Sequence, residues 1–187
     1  QIPARRDVWA SFRLMTALTQ FSDAARSTTV AAAAHRAVGA YLSELGVFVE
    51  TGGGFAATSW AYMRWQEGAT VCLWFADHPY TTPSGRAAAL TLARTMAARY
   101  FDWSAFLTDP SAIDIATSAA DPSHPQFKDC PFNSSQCHHG VNVGMALQEP
   151  AIRYRLSGNV DYLRNSTLAV KTVWRFHGQA SGIYSAE

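Results

Sequence analysis

The fold class follows from residues 137–151, which read CHHGVNVGMALQEPA. A cysteine, two adjacent histidines and an amide stand there at the entrance of an amphipathic helix, in which Val141 and Met145 are one turn apart. A second polar cluster, HGQASGIYSAE, occupies residues 177–187, one helix later. Helical toroids build their pockets from polar groups at the ends of consecutive helices. Because the chain ends on such a cluster, we expect it to be part of something larger.

Outward from this stretch, the chain reads as helices joined by loops, with no convincing strand. Apolar spacing predicts six helices, over about 5–21, 23–45, 59–77, 84–100, 141–158 and 163–177. The last of these carries an apolar face of Leu163, Thr167, Val170, Trp174 and His177. Six helices in three hairpins form a coarse repeat, which favours an all-α solenoid or toroid over a four-helix bundle. We therefore expect residues 1–187 to belong to a single domain.

Local signals predict where several of these helices begin and end. Asp23 is the expected N-cap of the second helix, and Gly46 is its expected stop. Pro150 lies inside the fifth helix and should kink it or mark a restart, because proline lacks a backbone donor. Residues 104–136 are polar and punctuated by proline, so we expect a long loop there.

Composition narrows the range of partners. Hydrophobic residues make up 48% of the chain and charged residues only 16%, as in a globular domain with a core. The formal charge of +1 gives no electrostatic reason to expect nucleic acid or an anionic membrane as a partner. No apolar run reaches the roughly 18 residues that a membrane span needs.

Cysteine and asparagine patterns indicate the secretory pathway. Cys130 and Cys137 flank a short loop and could close a small disulfide ring. Glycosylation sequons begin at Asn133, inside that loop, and at Asn165. The run Cys137-His138-His139 also contains zinc-type ligands, but adjacent residues rarely point at one ion and no fourth ligand is near in sequence. We therefore favour the disulfide and an extracellular, secreted protein.

Two segments carry a family resemblance. HGVNVGMALQEPA at 139–151, followed by RYRLSGN at 153–159, resembles the β-L-arabinofuranosidase-type glycoside hydrolases of family 127. HGQASGIYSAE at 177–187 is similar to that family at the segment leading into its active-site carboxylate. Weaker likeness covers SWAYMRW at 59–65 and YFDW at 100–103. The resemblance extends from about residue 59 onward and suggests a divergent, eukaryote-like branch.

The resemblance implies an (α/α)6 toroid and a retaining mechanism, with a zinc-associated cysteine as nucleophile and a glutamate as general acid/base. The family's nucleophile and metal ligands belong to a Glu-x-Cys motif and a Cys-Cys pair, and neither occurs in these 187 residues. We therefore expect this chain to be the N-terminal portion of the catalytic toroid, with no metal ligands and no bound cofactor of its own. Zinc is expected only in the complete domain, and the chain alone is not expected to be active.

The same resemblance assigns candidate site residues. His139 corresponds to a sugar-contacting histidine, and Asn142, one turn away, is a candidate for a sugar hydroxyl. His177 and Gln179 could line the same pocket, although His177 could equally be a buried structural histidine. Glu187 falls near the family's acid/base glutamate, whose carboxyl must be protonated to assist the leaving group. The family often has Asp-Glu where this chain has Ala-Glu, so the register of Glu187 stays open.

Aromatic residues add a further candidate. An aromatic face can stack on the apolar face of a sugar ring, although most tryptophans belong to the core. Trp65, beside Arg64, is the preferred candidate for such a platform.

Two functions remain open from the sequence. The first is a secreted glycoside hydrolase acting on L-arabinofuranose-like glycans, completed by the rest of the polypeptide or by a cleaved partner chain. The second is a non-catalytic glycoprotein that uses the toroid as a carbohydrate-binding or assembly module. Fold alone cannot choose between them, because function depends on the site.

Overall fold

The protein is all-α in the part of the chain that the computed structural model describes, residues 7–52, 59–113 and 135–184. This confirms the predicted fold class of helical hairpins. Across those three ranges the structure has no strand, and β-type pairing is limited to one isolated bridge between Gly178 and Tyr184. None of the helices seen there combines the length and apolar character required to cross a membrane. Backbone contacts divide the chain into two compact units, Gln1–Tyr100 and Phe101–Glu187.

Unit 1 contains five helices in its described residues: α1 (Val8–Ala25), α2 (Thr28–Thr51), α3 (Trp60–Met63), α4 (Trp65–Asp77) and α5 (Pro83–Arg99). Helix α4 is the central element, since it packs against α5, α1 and α2. The core of unit 1 is formed by fully buried side chains that include Phe12, Leu45, Met63, Trp65 and Met96.

Capping explains why the first two helices differ from the prediction. Ser27, rather than Asp23, caps α2, because its side chain accepts a hydrogen bond from the Val30 backbone N–H at 3.4 Å. Asp23 lies inside α1. The expected stop at Gly46 is also wrong, since α2 continues through it and ends at Gly52, whose φ of 71° lies in the left-handed region.

The third predicted helix is interrupted. Ser59 caps its N-terminus, accepting a hydrogen bond from the Tyr62 backbone N–H at 3.3 Å. At Arg64 the backbone leaves the helical region, with φ −117° and ψ 23°, so α3 ends and α4 begins one residue later. This break positions Arg64 between two tryptophans, as described below.

Unit 2 contains six helices in its described residues: α6 (Trp103–Thr108), α7 (Pro110–Ile113), α8 (Ser135–His138), α9 (Gly140–Ala146), α10 (Glu149–Ser157) and α11 (Asp161–His177). Helix α11 packs against α6, α7 and α10. The core of this unit includes Trp103, Leu107, Ile113, Val143, Ala146 and Val173.

Two expectations about unit 2 meet different outcomes. The long loop predicted over 104–136 begins instead with α6 and α7, because the Asp102 side chain caps α6 by accepting from the Ala105 backbone N–H at 2.9 Å. Residues 114–134 lie outside the described part of the chain. Pro150 marks a restart, as one of the two predicted outcomes, and occupies the first turn of α10, where proline is tolerated.

Candidate functional site

The candidate site lies in unit 2, where both polar clusters of the sequence meet. The end of α8 and the start of α9 bring His138, His139 and Asn142, and the end of α11 brings His177. The turn after α11 then returns to α9, because the Tyr184 hydroxyl lies against Gly144. Residues 137–151 and 177–184 are therefore neighbours in space although a helix of 17 residues separates them.

His138 is the buried histidine of the first cluster. Its side chain is 9% exposed, and both ring nitrogens lack a hydrogen-bond partner in the described structure. The ring meets Phe106 edge-on, with centroids 5.5 Å apart. Burial lowers the pKa of His138, and the nearby charge of His177 lowers it further. His138 is therefore kept neutral near pH 7.

His177 has its orientation fixed by the backbone. The side chain is 8% exposed, and Nε2 lies 3.2 Å from the carbonyl oxygen of Ile113. Since a carbonyl oxygen only accepts, Nε2 carries the hydrogen in this contact. His177 is therefore buried, with one ring nitrogen bonded inside the protein to the backbone that follows α6.

Asn142 is placed differently from the prediction. The side chain is fully buried, and Nδ2 donates to the backbone oxygen of Gln136 at 2.9 Å and to its Oε1 at 3.1 Å. Both amide hydrogens are therefore used inside the protein, where they tie α9 to α8. Asn142 is therefore engaged inside the protein, and its contact with a sugar hydroxyl stays a prediction.

His139 and Gln179 are the predicted site residues that solvent reaches. His139 is half-buried between α8 and α9, and Gln179 is exposed in the turn that follows α11. This turn is held by bonds from the Gln179 N–H to the Ile183 oxygen at 2.6 Å and from the Gly182 N–H to the Gln179 oxygen at 2.9 Å. Glu187, the candidate acid/base, lies outside the described residues.

A buried carboxyl that the sequence did not single out as a site residue lies in the same unit. Glu149 is fully buried at the start of α10, and its Oε1 accepts a hydrogen bond from Arg153 Nε, while Oε2 has no hydrogen-bond partner among the described residues. Burial raises the pKa of Glu149 to about 7, against the lowering effects of Arg153 and the Ser104 backbone N–H. Arg153 also lies 3.5 Å from Asp102. A carboxyl that exchanges a proton near neutral pH is a candidate acid/base group or a structural tie between α10 and α6.

The candidates in unit 1 are not placed to contact a sugar. Trp65 is fully buried, so its faces are covered and the predicted stacking platform is not supported. Arg64 is 4% exposed, and its guanidinium lies 4.3 Å from the Trp9 ring and 4.4 Å from the Trp60 ring. Such a double cation–π contact is a structural role for Arg64. The carboxylate of the nearby Glu67, which forms an ion pair with Arg13 at 2.8 Å, balances the buried positive charge of Arg64.

The structure describes only part of the predicted glycosylation and disulfide sites. Asn165 is half-buried in α11, and its Nδ2, the atom to which a glycan attaches, donates to Ser104 Oγ at 3.0 Å. A glycan on Asn165 would have to replace this hydrogen bond. Cys137 is buried, while Cys130 and Asn133 lie outside the described residues, so the disulfide and the first glycan stay predictions.

Cys72 is a buried free thiol whose pKa is raised to about 12 by burial.

No metal centre is formed by the residues described. Within 7–52, 59–113 and 135–184, no group of three His, Cys, Asp or Glu side chains is arranged to hold an ion. No protein-family model, curated protein or solved structure matches this chain. The function must therefore be argued from the residues themselves and from the resemblance that they carry.

Proposed function

We propose that this chain forms one side of the sugar pocket of a secreted glycoside hydrolase that acts on L-arabinofuranose-like glycans with retention. The observation that supports it is the meeting of residues 137–151 with residues 177–184 in unit 2. They belong to the two segments that resemble family 127, and the resemblance implies that both could line one pocket. The Tyr184 hydroxyl, which lies against Gly144, brings them together.

The pocket is proposed to have a buried layer and a layer that meets the substrate. His138, His177 and Asn142 form the buried layer, which fixes the helix ends. His139 and Gln179, which solvent reaches, are the proposed sugar contacts, with an imidazole and an amide as hydrogen-bond partners for hydroxyl groups. These two side chains would hold the sugar in the orientation that the reaction needs, which is how a positioning residue contributes to catalysis.

The chemistry is proposed to be shared between this chain and the remainder of the toroid. A carboxyl on this chain, with Glu187 as the candidate, protonates the leaving oxygen as the glycosidic bond breaks. A thiolate from the remainder forms the bond to the anomeric carbon. In the second step the carboxylate takes a proton from water, which displaces the thiolate and restores the anomeric configuration. Zinc in the complete domain would stabilise the thiolate as the leaving group.

The surface of α11 supports a larger assembly. Its buried face consists of Ala169, Thr172, Val173 and His177, rather than the apolar stripe predicted from the sequence. Four members of that stripe are exposed, among them Leu163 by 44%, Val170 by 54% and Trp174 by 50%. Their spacing is helical, so they form a row to which another helix of the toroid can pack.

The direct test is an assay of the full protein that contains this chain. We expect release of the aryl group from a 4-nitrophenyl β-L-arabinofuranoside and loss of that activity after thiol alkylation with iodoacetamide. Activity that is insensitive to alkylation would rule out the cysteine mechanism. Binding of L-arabinofuranosides with no turnover would instead support the non-catalytic carbohydrate-binding module.

A further inference from the structure

Two histidines of unit 1 stack where α4 ends and α5 begins. His35, on α2, lies face to face with Phe75, with ring centroids 4.6 Å apart and planes inclined by 6°. It also stacks on His78, with centroids 4.8 Å apart and planes inclined by 27°. Tyr80 meets His78 edge-on at 5.0 Å. His35 and His78, called the histidine pair below, therefore join α2 to the turn at residues 78–82.

Hydrogen bonds show that this arrangement requires a neutral His78 ring and a hydrogen on Nε2 of His35. Thr81 Oγ1 lies 2.5 Å from the Phe75 carbonyl oxygen and must use its one hydrogen there. Thr81 Oγ1 therefore accepts a hydrogen bond from Nε2 of His35, at 2.7 Å. Nδ1 of His78 accepts from the Tyr80 backbone N–H at 3.3 Å. A proton on this Nδ1 would remove the acceptor and break the bond that shapes the turn.

The charges around the histidine pair mostly oppose its protonation. Arg36, on α2, disfavours a charge on His35, and so does His78 itself. Asp23, on α1, favours a charge on His78, but its carboxylate already accepts from Trp74 Nε1 at 3.1 and 3.2 Å. Asp77 at the end of α4 faces Arg86 of α5 at 3.6 Å. Burial is the largest cause that lowers the pKa of both histidines.

We propose that the histidine pair is a pH-sensitive clasp that holds the turn at residues 78–82 to α2 when neutral and releases it when protonated. Two stacked imidazolium ions repel each other, and the bond from Tyr80 to His78 is lost at the same time. An unfolded histidine takes up its proton near pH 6.5, whereas the folded pair does so only at lower pH. The stabilisation is therefore complete above pH 6.5 and is lost as the pH falls below it.

Hydrogen exchange of the full 187-residue chain tests the clasp. After correction for intrinsic rates, we expect exchange across residues 78–82 to rise at least about threefold between pH 7.5 and 5.0. Peptides from the middle of α5 serve as the internal control and should not change. The double variant His35→Gln, His78→Asn keeps a donor and an acceptor at the two bonded positions but cannot titrate. We expect its exchange across the same turn to be independent of pH.

A wild-type turn with no rise, or an equal rise in the double variant, would overturn the proposal. An NMR titration of the wild-type imidazole protons keeps the proposal testable should the double variant not fold. We expect the pKa of both histidines to lie below 6.5, and a pKa at or above that value for both would also overturn it.

Discussion

The hydroxyl oxygen of Tyr184 lies 2.6 Å from the point that a Cβ atom on Gly144 would occupy. This close approach is possible because Gly144, in α9, has no side chain. It joins the turn after α11 to the helix that follows His139. The relationship between these two residues thus holds the two polar clusters of the sequence against each other.

A double-mutant cycle tests this contact. Gly144→Ala should gain helix propensity of up to about 1 kcal/mol. That gain should be offset because the new methyl displaces the Tyr184 hydroxyl. In a Tyr184→Phe background the hydroxyl is absent, so the same substitution should be stabilising. We expect a coupling energy of about 0.5–1.5 kcal/mol from urea unfolding. Equal effects of Gly144→Ala in both backgrounds would show that the contact is not formed.

A second glycine tests the packing of unit 1. A Cβ on Gly68 would lie 2.6 Å from Cε1 of Phe12, a fully buried ring. Gly68→Ala should therefore lower the free energy of unfolding by about 1–3 kcal/mol. Gly46→Ala is the matched control, because nothing lies within 4 Å of its Cβ position inside α2. It should raise stability by about 0.5–1 kcal/mol. Destabilisation of similar size in both variants would contradict this packing.

The raised pKa of Glu149 predicts a pH dependence. Its pKa rises from 4.5 in the unfolded chain to about 7 in the folded protein. The folded state therefore binds the proton more tightly, and this stabilisation is full below pH 4.5 and is lost as the pH rises through about 7. Glu149→Gln should remove that dependence. Because histidines titrate in the same range, the quantity to compare is the difference between wild type and variant in urea midpoint, from pH 5 to 7.5. A constant difference would contradict the raised pKa.

Glycan mapping tests the account of α11. Because Nδ2 of Asn165 donates to Ser104, we expect no glycan at Asn165 in protein secreted from a eukaryotic host. Asn133 remains the predicted glycan site, and Cys130–Cys137 the predicted disulfide. Peptide mass spectrometry without reduction, before and after enzymatic deglycosylation, measures all three. A glycan on Asn165 would mean that this helix face is packed differently.

The sequence predicted the helical fold because apolar spacing is a local property. Helix boundaries were harder to predict from the sequence, since several possible capping residues lie close together in the chain. Asp23 and Ser27 are both good N-caps, and only the packing of α1 decides between them. The helix break at Arg64 has no glycine or proline that would predict it from the sequence. It accompanies the contact of the Arg64 guanidinium with two tryptophan rings, which is a tertiary arrangement.

The sequence located the two polar clusters at helix ends but did not reveal which of their side chains are buried. Adjacent residues at a helix end point in different directions, and the sequence could not tell which of His138 and His139 is buried. The burial of Asn142 depends on Gln136, which lies in a helix that was predicted as loop. The sequence did not single out Glu149 as a site residue, because its burial against α6 arises from tertiary packing.

The central claim is that residues 137–151 and 177–184 line one sugar pocket. Its most direct measurement is kcat/KM of the full protein on a 4-nitrophenyl β-L-arabinofuranoside for His139→Ala and Gln179→Ala. The control is Gln20→Ala, which removes another exposed amide, on α1. We predict a loss of about 10- to 100-fold for each site variant and no change for the control, at unchanged stability. Wild-type kcat/KM in both site variants would contradict the account.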